Sequence, residues 1–251
     1  MITKQLAMLG WLMAAALGCS GEGAGPAEPA PAGTTGGGVN PLGRARCRAP
    51  QGVSASPQNT QEALALLNAL PKPTSAACFV ESLARPLNVQ ATSSLFSQQP
   101  ALSVASPRVF LKLGQLWLSI VMDGDASYLI EFGDQISVDP PRSIKGEVQL
   151  PISDAIAPGA PYERVMYSPG TTQCGFCHYD ERPVEDVAFA AFSSISFRPR
   201  PDTYVSLESL RGEQQRCDFQ KEPHRCEMFD ALFASGDVVE TDFPPTMATF
   251  F

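Results

Sequence analysis

The spacing of apolar residues predicts helices near the start of the folded part of this chain. Leu64, Leu67 and Leu70 recur at helical spacing and form one stripe, and Pro71 directly after them ends the predicted helix. A second short helix is predicted in the stretch TSAACFVESLARP, where it stops before Pro86.

Further along the chain the pattern becomes that of strands. Stretches rich in β-branched and aromatic residues predict strands near 108–113, 115–122 and 127–132, with the last two forming a hairpin around the turn at Gly124. The stretch RSIKGEVQLPI adds another strand, in which Gly146 is interpreted as a bulge.

Two more short helices are predicted near the end of the chain. One begins after Ser206, a suitable cap, and the other has Pro223 in its first turn and Gly236 after its last. The predicted class is therefore α+β. Helices and a mostly antiparallel sheet occupy 44–160, and a small helical region occupies 161–251.

The beginning of the chain has the pattern of an export signal. A short head with a single lysine precedes an apolar run from Leu6 to Leu17. This run is shorter than the roughly 20 residues that a membrane-spanning helix needs. It is therefore interpreted as a secretory signal.

The stretch AALGCS at the end of that run resembles the lipobox of bacterial lipoproteins, although Ala16 stands where the family usually has leucine. The resemblance implies a signal peptide over 1–18 and a lipid anchor in a membrane, attached to Cys19. Ser20 does not resemble an inner-membrane retention signal. The expected location is therefore the cell envelope, as an outer-membrane lipoprotein facing the periplasm or the cell surface.

Residues 19–43 are rich in glycine, proline, alanine and threonine. Such a segment buries too little apolar surface to offset its ordering entropy, so it is predicted to be a flexible tether. The formal net charge is −8, and near −9 once residues 1–18 are removed. This acidic surface argues against a nucleic-acid partner.

The cysteine count favours disulfides. Of seven cysteines, Cys19 is assigned to lipid, which leaves an even six in an oxidising compartment. Cys47 and Cys78 flank the first predicted helix, and Cys217 and Cys226 flank the connection of the last two. These two pairs are predicted to be disulfides.

Cys174 and Cys177 remain, followed directly by His178. The sequence Cys-Gly-Phe-Cys-His resembles the haem-attachment motif of c-type cytochromes. The resemblance implies one covalent haem c held by both thiols, with the histidine ligating the iron. Aromatic residues crowd the chain after Pro161, which would suit the walls around a flat apolar cofactor.

Two other chemistries remain open for these residues. Cys-Gly-Phe-Cys is also similar to a thioredoxin-type redox site, although no strand pattern precedes it. A zinc site could use Cys174 and Cys177 with Cys217 and Cys226, or with His224 in place of one of these.

The second axial ligand is predicted to be His224, with Met228 as the alternative one helical turn later. With both axial positions filled, the expected role is electron transfer to an unidentified redox partner protein rather than enzymatic catalysis. The competing function is a non-haem binding or structural lipoprotein of the periplasm, with disulfides or a thiol-disulfide site.

Overall fold

The computed structural model describes residues 38–185, 189 and 191–250. The predicted signal peptide 1–18, the lipidated Cys19 and most of the predicted tether lie outside the described residues. The compact unit that contains the rest of the chain spans Gly37–Phe251. Its first residues are already anchored, because Asn40 is buried and donates a hydrogen bond from Nδ2 to Glu227 Oε1 at 3.0 Å.

The described part of the chain contains five α-helices and ten β-strands. The helices are α1 (Thr60–Ala69), α2 (Ala76–Ser82), α3 (Ala160–Arg164), α4 (Leu207–Arg216) and α5 (Pro223–Phe233). The strands are β1 (Leu87–Thr92), β2 (Arg108–Leu113), β3 (Leu116–Val121), β4 (Leu129–Val138), β5 (Pro141–Gln149), β6 (Met166–Ser168), β7 (Thr171–Thr172), β8 (Arg182–Val184), β9 (Ala191–Ile195) and β10 (Val238–Glu240).

Within the described residues, eight strands form one sheet in the order β10-β1-β2-β3-β4-β5-β9-β8, and β6 pairs with β7 separately. Neighbours in the large sheet are antiparallel except for β1 and β10. The predicted α+β class with a mostly antiparallel sheet is confirmed. The two regions predicted on either side of position 160 share this one sheet, because β8, β9 and β10 come from the second region.

The central strands have two different faces. Along β2, Val109 and Leu111 are fully buried against apolar side chains of the helices, including Phe79 of α2 and Phe229 of α5. Successive side chains of a strand point to opposite faces, so Phe110 projects to the other side. There it lines a cavity. Burying one such core side chain contributes about 1.5–3 kcal/mol, so the helix-side face supplies the main stabilisation.

The helix boundaries follow from capping. Asn59 Oδ1 accepts a hydrogen bond from Glu62 N at 2.9 Å at the start of α1, and Ser75 Oγ accepts one from Cys78 N at 3.1 Å at the start of α2. Ser206 caps α4, as the sequence predicted. Each cap satisfies one backbone N–H that has no partner within its helix.

The bulge predicted at Gly146 is wrong. Gly146 pairs regularly with Phe132, and the register shift between β4 and β5 lies between Gln135 and Ser137. A Cβ at Gly146 would lie 3.0 Å from Cβ of Pro161, so the glycine allows α3 to approach β5 closely.

Both predicted disulfides are present. Cys47 is bonded to Cys78 and Cys217 to Cys226. The first joins the segment before α1 to α2, and the second joins the end of α4 to the first turn of α5. No helix in the described ranges combines the length and the apolar character that crossing a bilayer requires.

Replacing Cys47 and Cys78 together by serine is expected to lower the free energy of unfolding by about 4 kcal/mol, and replacing Cys217 and Cys226 by about 3 kcal/mol. The reason is that the first pair is separated by 31 residues and the second by 9, and a longer closed loop removes more entropy from the unfolded chain. Urea unfolding of the exported protein measures both losses. A larger loss for the second pair would contradict this account.

Candidate functional site

A cavity lies on the face of the sheet opposite the helices. It has a volume of about 160 Å³ and is open to solvent on one side. Its aromatic walls come from β2, β3, the loop after β1 and the last part of the chain. They include Phe96, Phe110, Trp117, Phe197, Phe243 and Phe250.

Cys174, Cys177 and His178 all line this cavity. They lie in a segment of residues 171–182, named here the CxxCH segment. Cys174 lies in a 3-10 turn over Gln173–Phe176 that Thr172 caps, and Cys174 N donates to Thr172 Oγ1 at 3.1 Å. The backbone N–H groups of Cys177 and His178 both donate to the carbonyl oxygen of Cys174, at 3.1 and 2.8 Å. One turn therefore presents both thiols and the imidazole.

Two charged side chains fasten the CxxCH segment. Arg142, buried on β5, donates to Asp180 Oδ2 at 2.7 Å, to the Asp180 carbonyl at 2.6 Å and to the Ser193 carbonyl at 2.9 Å. Glu181 accepts from Thr171 Oγ1 at 2.8 Å and from Thr172 N at 2.9 Å.

The Glu181 carboxylate also explains the glycine of the motif. A Cβ at Gly175 would lie 2.5 Å from Glu181 Oε2. A larger residue there would push against a carboxylate that hydrogen bonds hold in place.

His178 is oriented by a backbone carbonyl. Its Nδ1 lies 2.9 Å from the oxygen of Ile195, and a carbonyl can only accept, so Nδ1 carries the proton. Burial lowers the pKa of His178 to about 3, with a smaller contribution from the charge of Lys145. The imidazole is therefore neutral near pH 7, and its Nε2 lone pair is available to a metal.

The Cys174 thiol differs from the nucleophilic thiol of a reactive redox site. Cys174 and Cys177 are free rather than bonded to each other. Burial raises the pKa of Cys174 to about 11, which keeps this thiol protonated. Nucleophilic and redox cysteines need a lowered pKa, so the geometry does not favour the thioredoxin-type interpretation.

The zinc site predicted as an alternative loses two of its ligands. Cys217 and Cys226 are bonded to each other, and a disulfide sulfur is not a thiolate ligand for zinc. Among the described residues, no group of three or more His, Cys, Asp and Glu side chains is arranged to hold a metal ion.

The structure does not bring His224 or Met228 to His178. Neither residue lines the cavity. The His224 ring stacks on Tyr128 at 5.4 Å between centroids, and Met228 is fully buried in the core between helices and sheet. A methionine that does line the cavity is Met247, which packs with Trp117 and Phe243.

Lys145 on β5 and Trp117 on β3 also line the cavity, and neither was predicted as a site residue from the sequence. The alternation of residues along β5 could have indicated Lys145. Ser143, Lys145 and Glu147 alternate with apolar or small residues along β5, the pattern of a strand with one polar face.

Comparison with known proteins finds no relative for this chain: no protein-family model, no curated protein and no solved structure matches it.

Replacing Arg142 by methionine is expected to loosen the CxxCH segment, because its four hydrogen bonds to Asp180 and Ser193 are lost. Amide hydrogen exchange at Cys177 and His178 should become at least tenfold faster, and the free energy of unfolding should fall by about 2 kcal/mol. Arg200→Met is the matched control, since Arg200 pairs with Asp202 on the surface. If both variants changed exchange at Cys177 equally, Arg142 would not be what holds the segment.

Proposed function

We propose that this chain is an exported lipoprotein similar to c-type cytochromes, that it carries one covalent haem, and that it transfers electrons. One observation carries the proposal: the free thiols of Cys174 and Cys177 and the correctly oriented imidazole of His178 line a single cavity with aromatic walls.

The residues present fit this cofactor. Covalent attachment needs two free thiols at this spacing, and ligation needs a neutral histidine with one nitrogen available. The cavity of about 160 Å³ is open to solvent on one side, and its lining brings the two thiols, the imidazole and the aromatic walls together. Bound haem supplies one-electron redox chemistry. The surrounding aromatic side chains give the cavity apolar walls, and the Ile195 carbonyl fixes the ring of His178.

For the second axial position we propose Met247 in place of His224 or Met228. The backbone carbonyl of Met247 accepts from Arg198 Nε at 2.8 Å. Arg198 also bonds the neighbouring segment, with its N donating to the Ala248 carbonyl at 3.0 Å and its carbonyl accepting from Phe250 N at 3.1 Å. The Phe250 ring in turn lies 6.4 Å from that of His178. Both Met247 and His178 line the cavity, where the Met247 side chain packs with Trp117 and Phe243.

The cellular setting belongs to the same proposal. Cys19 would carry the lipid anchor after removal of residues 1–18, and the outer membrane facing the periplasm or the cell surface is the proposed location. A partner protein would exchange electrons with the haem. Attachment of haem outside the cytoplasm agrees with a chain whose two disulfides form in an oxidising compartment.

A second candidate function is small-molecule binding by a lipoprotein without haem. The observation that favours it is a polar group on the sheet side of the cavity, Lys145. Its ammonium group forms no ion pair with any described residue and donates one hydrogen bond, to Ser143 Oγ. A site with a few placed polar groups among aromatic walls is typical of ligand pockets.

The proposed attachment predicts a covalent haem that survives denaturation. Exported protein, produced in a host that attaches haem to c-type cytochromes, should stain for haem on a denaturing gel. Replacing Cys174 and Cys177 together by serine should abolish the stain. The matched control removes the other pair in this half of the chain, Cys217 and Cys226, and should keep it. An unstained parent protein in that host would refute the function.

The proposed ligand predicts a spectroscopic difference between two methionines. Met247→Leu should convert a six-coordinate low-spin haem to a high-spin one, because leucine keeps the volume and lacks the sulfur. Attachment should be unaffected. The control, Met228→Leu, should leave the absorption spectrum unchanged. Loss of the low-spin form in Met228→Leu or His224→Ala instead would return the role to the residue in α5.

A further inference from the structure

Three residues lie side by side across the middle of the cavity floor. Trp117 on β3 is directly opposite Gly133 on β4, and Gly133 is directly opposite Lys145 on β5. Side chains of directly opposed residues project from the same face of an antiparallel sheet. All three residues line the cavity, so an indole and an ammonium group flank a position that has no side chain.

The gap at Gly133 is not required by the backbone. Gly133 has no left-handed φ, and a Cβ built there would meet only ordinary contacts, 3.7 Å to the Trp117 carbonyl oxygen and 3.9 Å to both Lys145 Nζ and Ser143 Oγ. Other residues could therefore occupy the position. What the glycine provides is a recess between the two flanking side chains.

Both flanking side chains have hydrogen-bond donors to spare. Trp117 is 8 % exposed, and its buried Nε1 has no hydrogen-bond partner among the described residues. Lys145 has three N–H donors and uses one of them, at 2.6 Å to Ser143 Oγ. A buried donor without a partner destabilises the protein. The Lys145 ammonium group also forms no ion pair with a described residue, because the Glu131 carboxylate that acts on it is paired with Arg108, and a bound anion would relieve both.

The surroundings indicate what else the ligand carries. The Trp117 ring stacks on Phe243 at 4.6 Å between centroids, and Phe243 contacts Phe110 edge-on at 5.0 Å. Arg108 is also near but is already paired with Glu131. The wall next to the recess is therefore apolar, which suits an acidic group on an apolar body.

We propose that Trp117, Gly133 and Lys145 form a carboxylate-binding subsite, in which the indole N–H and the ammonium group hold the carboxylate of an apolar ligand above the glycine. Two sources share this chemistry. One is a propionate of covalently attached haem, and this source rests on the proposed function. The other is a free amphiphilic acid, which does not depend on haem.

The chain offers its own probe of the subsite. It has two tryptophans, and the other is Trp11 in the predicted signal peptide. In the full chain carrying Trp11→Phe, emission therefore comes from Trp117 alone. Haem-free protein with Cys174 and Cys177 replaced by serine is titrated with decanoate, and with 1-decanol as the uncharged analogue. Decanoate should change the emission saturably and bind at least tenfold more tightly than 1-decanol.

The matched pair of lysine variants tests the assignment. Lys145→Met should weaken decanoate binding at least tenfold. Lys112→Met should not, because Lys112 lies over the same indole at 5.6 Å but does not line the cavity. Gly133→Ala, which fills the recess and keeps the charge, should also weaken binding, and it serves if Lys145→Met does not fold. Binding that is the same in all variants would overturn the subsite.

Haem-loaded protein separates the two sources. If the carboxylate is a haem propionate, loaded protein no longer binds decanoate, and Lys145→Met shifts the propionate bands of its resonance Raman spectrum while haem staining is unchanged. If the parent chain never carries haem but decanoate binding still depends on Lys145, the free acid is the ligand. In that case the subsite stands and the proposed function fails. Propionate bands unaffected by Lys145→Met in loaded protein that still binds decanoate would exclude the haem source.

Discussion

The alternation of side chains along β2 to β5 is the constraint on which the rest of the structure depends. One face of these strands packs against the helices and forms the hydrophobic core. The other face lines the cavity with polar and aromatic side chains. A shift of register by one residue would turn Lys145 into the core and Ile144 into the cavity. Core stability therefore fixes the positions of the groups that line the cavity.

The CxxCH segment, on the side of the cavity away from the sheet, is held in place by different interactions from those that hold the strands. The CxxCH segment contributes no large apolar core, and polar contacts fasten it: Arg142 to Asp180, Glu181 to the threonines of β7, and His178 to the Ile195 carbonyl. Hydrogen bonds of this kind contribute about 1 kcal/mol each, and more when one partner is charged. The position of the cysteines and His178 is therefore set by a few directional hydrogen bonds, whereas the position of the sheet residues that line the cavity is set by packing of the core.

Much of the fold could be predicted from the sequence because its signals are local. The caps and leucine spacing of α1, the β-branched runs of β2 and β3, and the even set of cysteines each depend on residues close together in the chain. The strands β8, β9 and β10 were missed because they are short, between three and five residues, and are defined by partners far along the chain. The strand β1 was missed because LNVQAT is buried on both faces and its polar residues obscure the alternation.

The candidate site was predicted only in part for the same reason. The motif at Cys174 to His178 is contiguous, whereas Trp117, Gly133, Lys145 and Met247 meet it only through the sheet and the final loop. Helical spacing could place Met228 one turn after His224, but it could not reveal that this turn of α5 packs into the core.

The stretch from Ile195, the last residue of β9, to Arg198 binds two groups at once. The Ile195 carbonyl orients the imidazole of His178, and Arg198, three residues later, holds the backbone of Met247. Two groups fastened to one short stretch of backbone cannot move independently of each other. Thermal motion of this stretch would therefore displace both groups together and change the distance between them little.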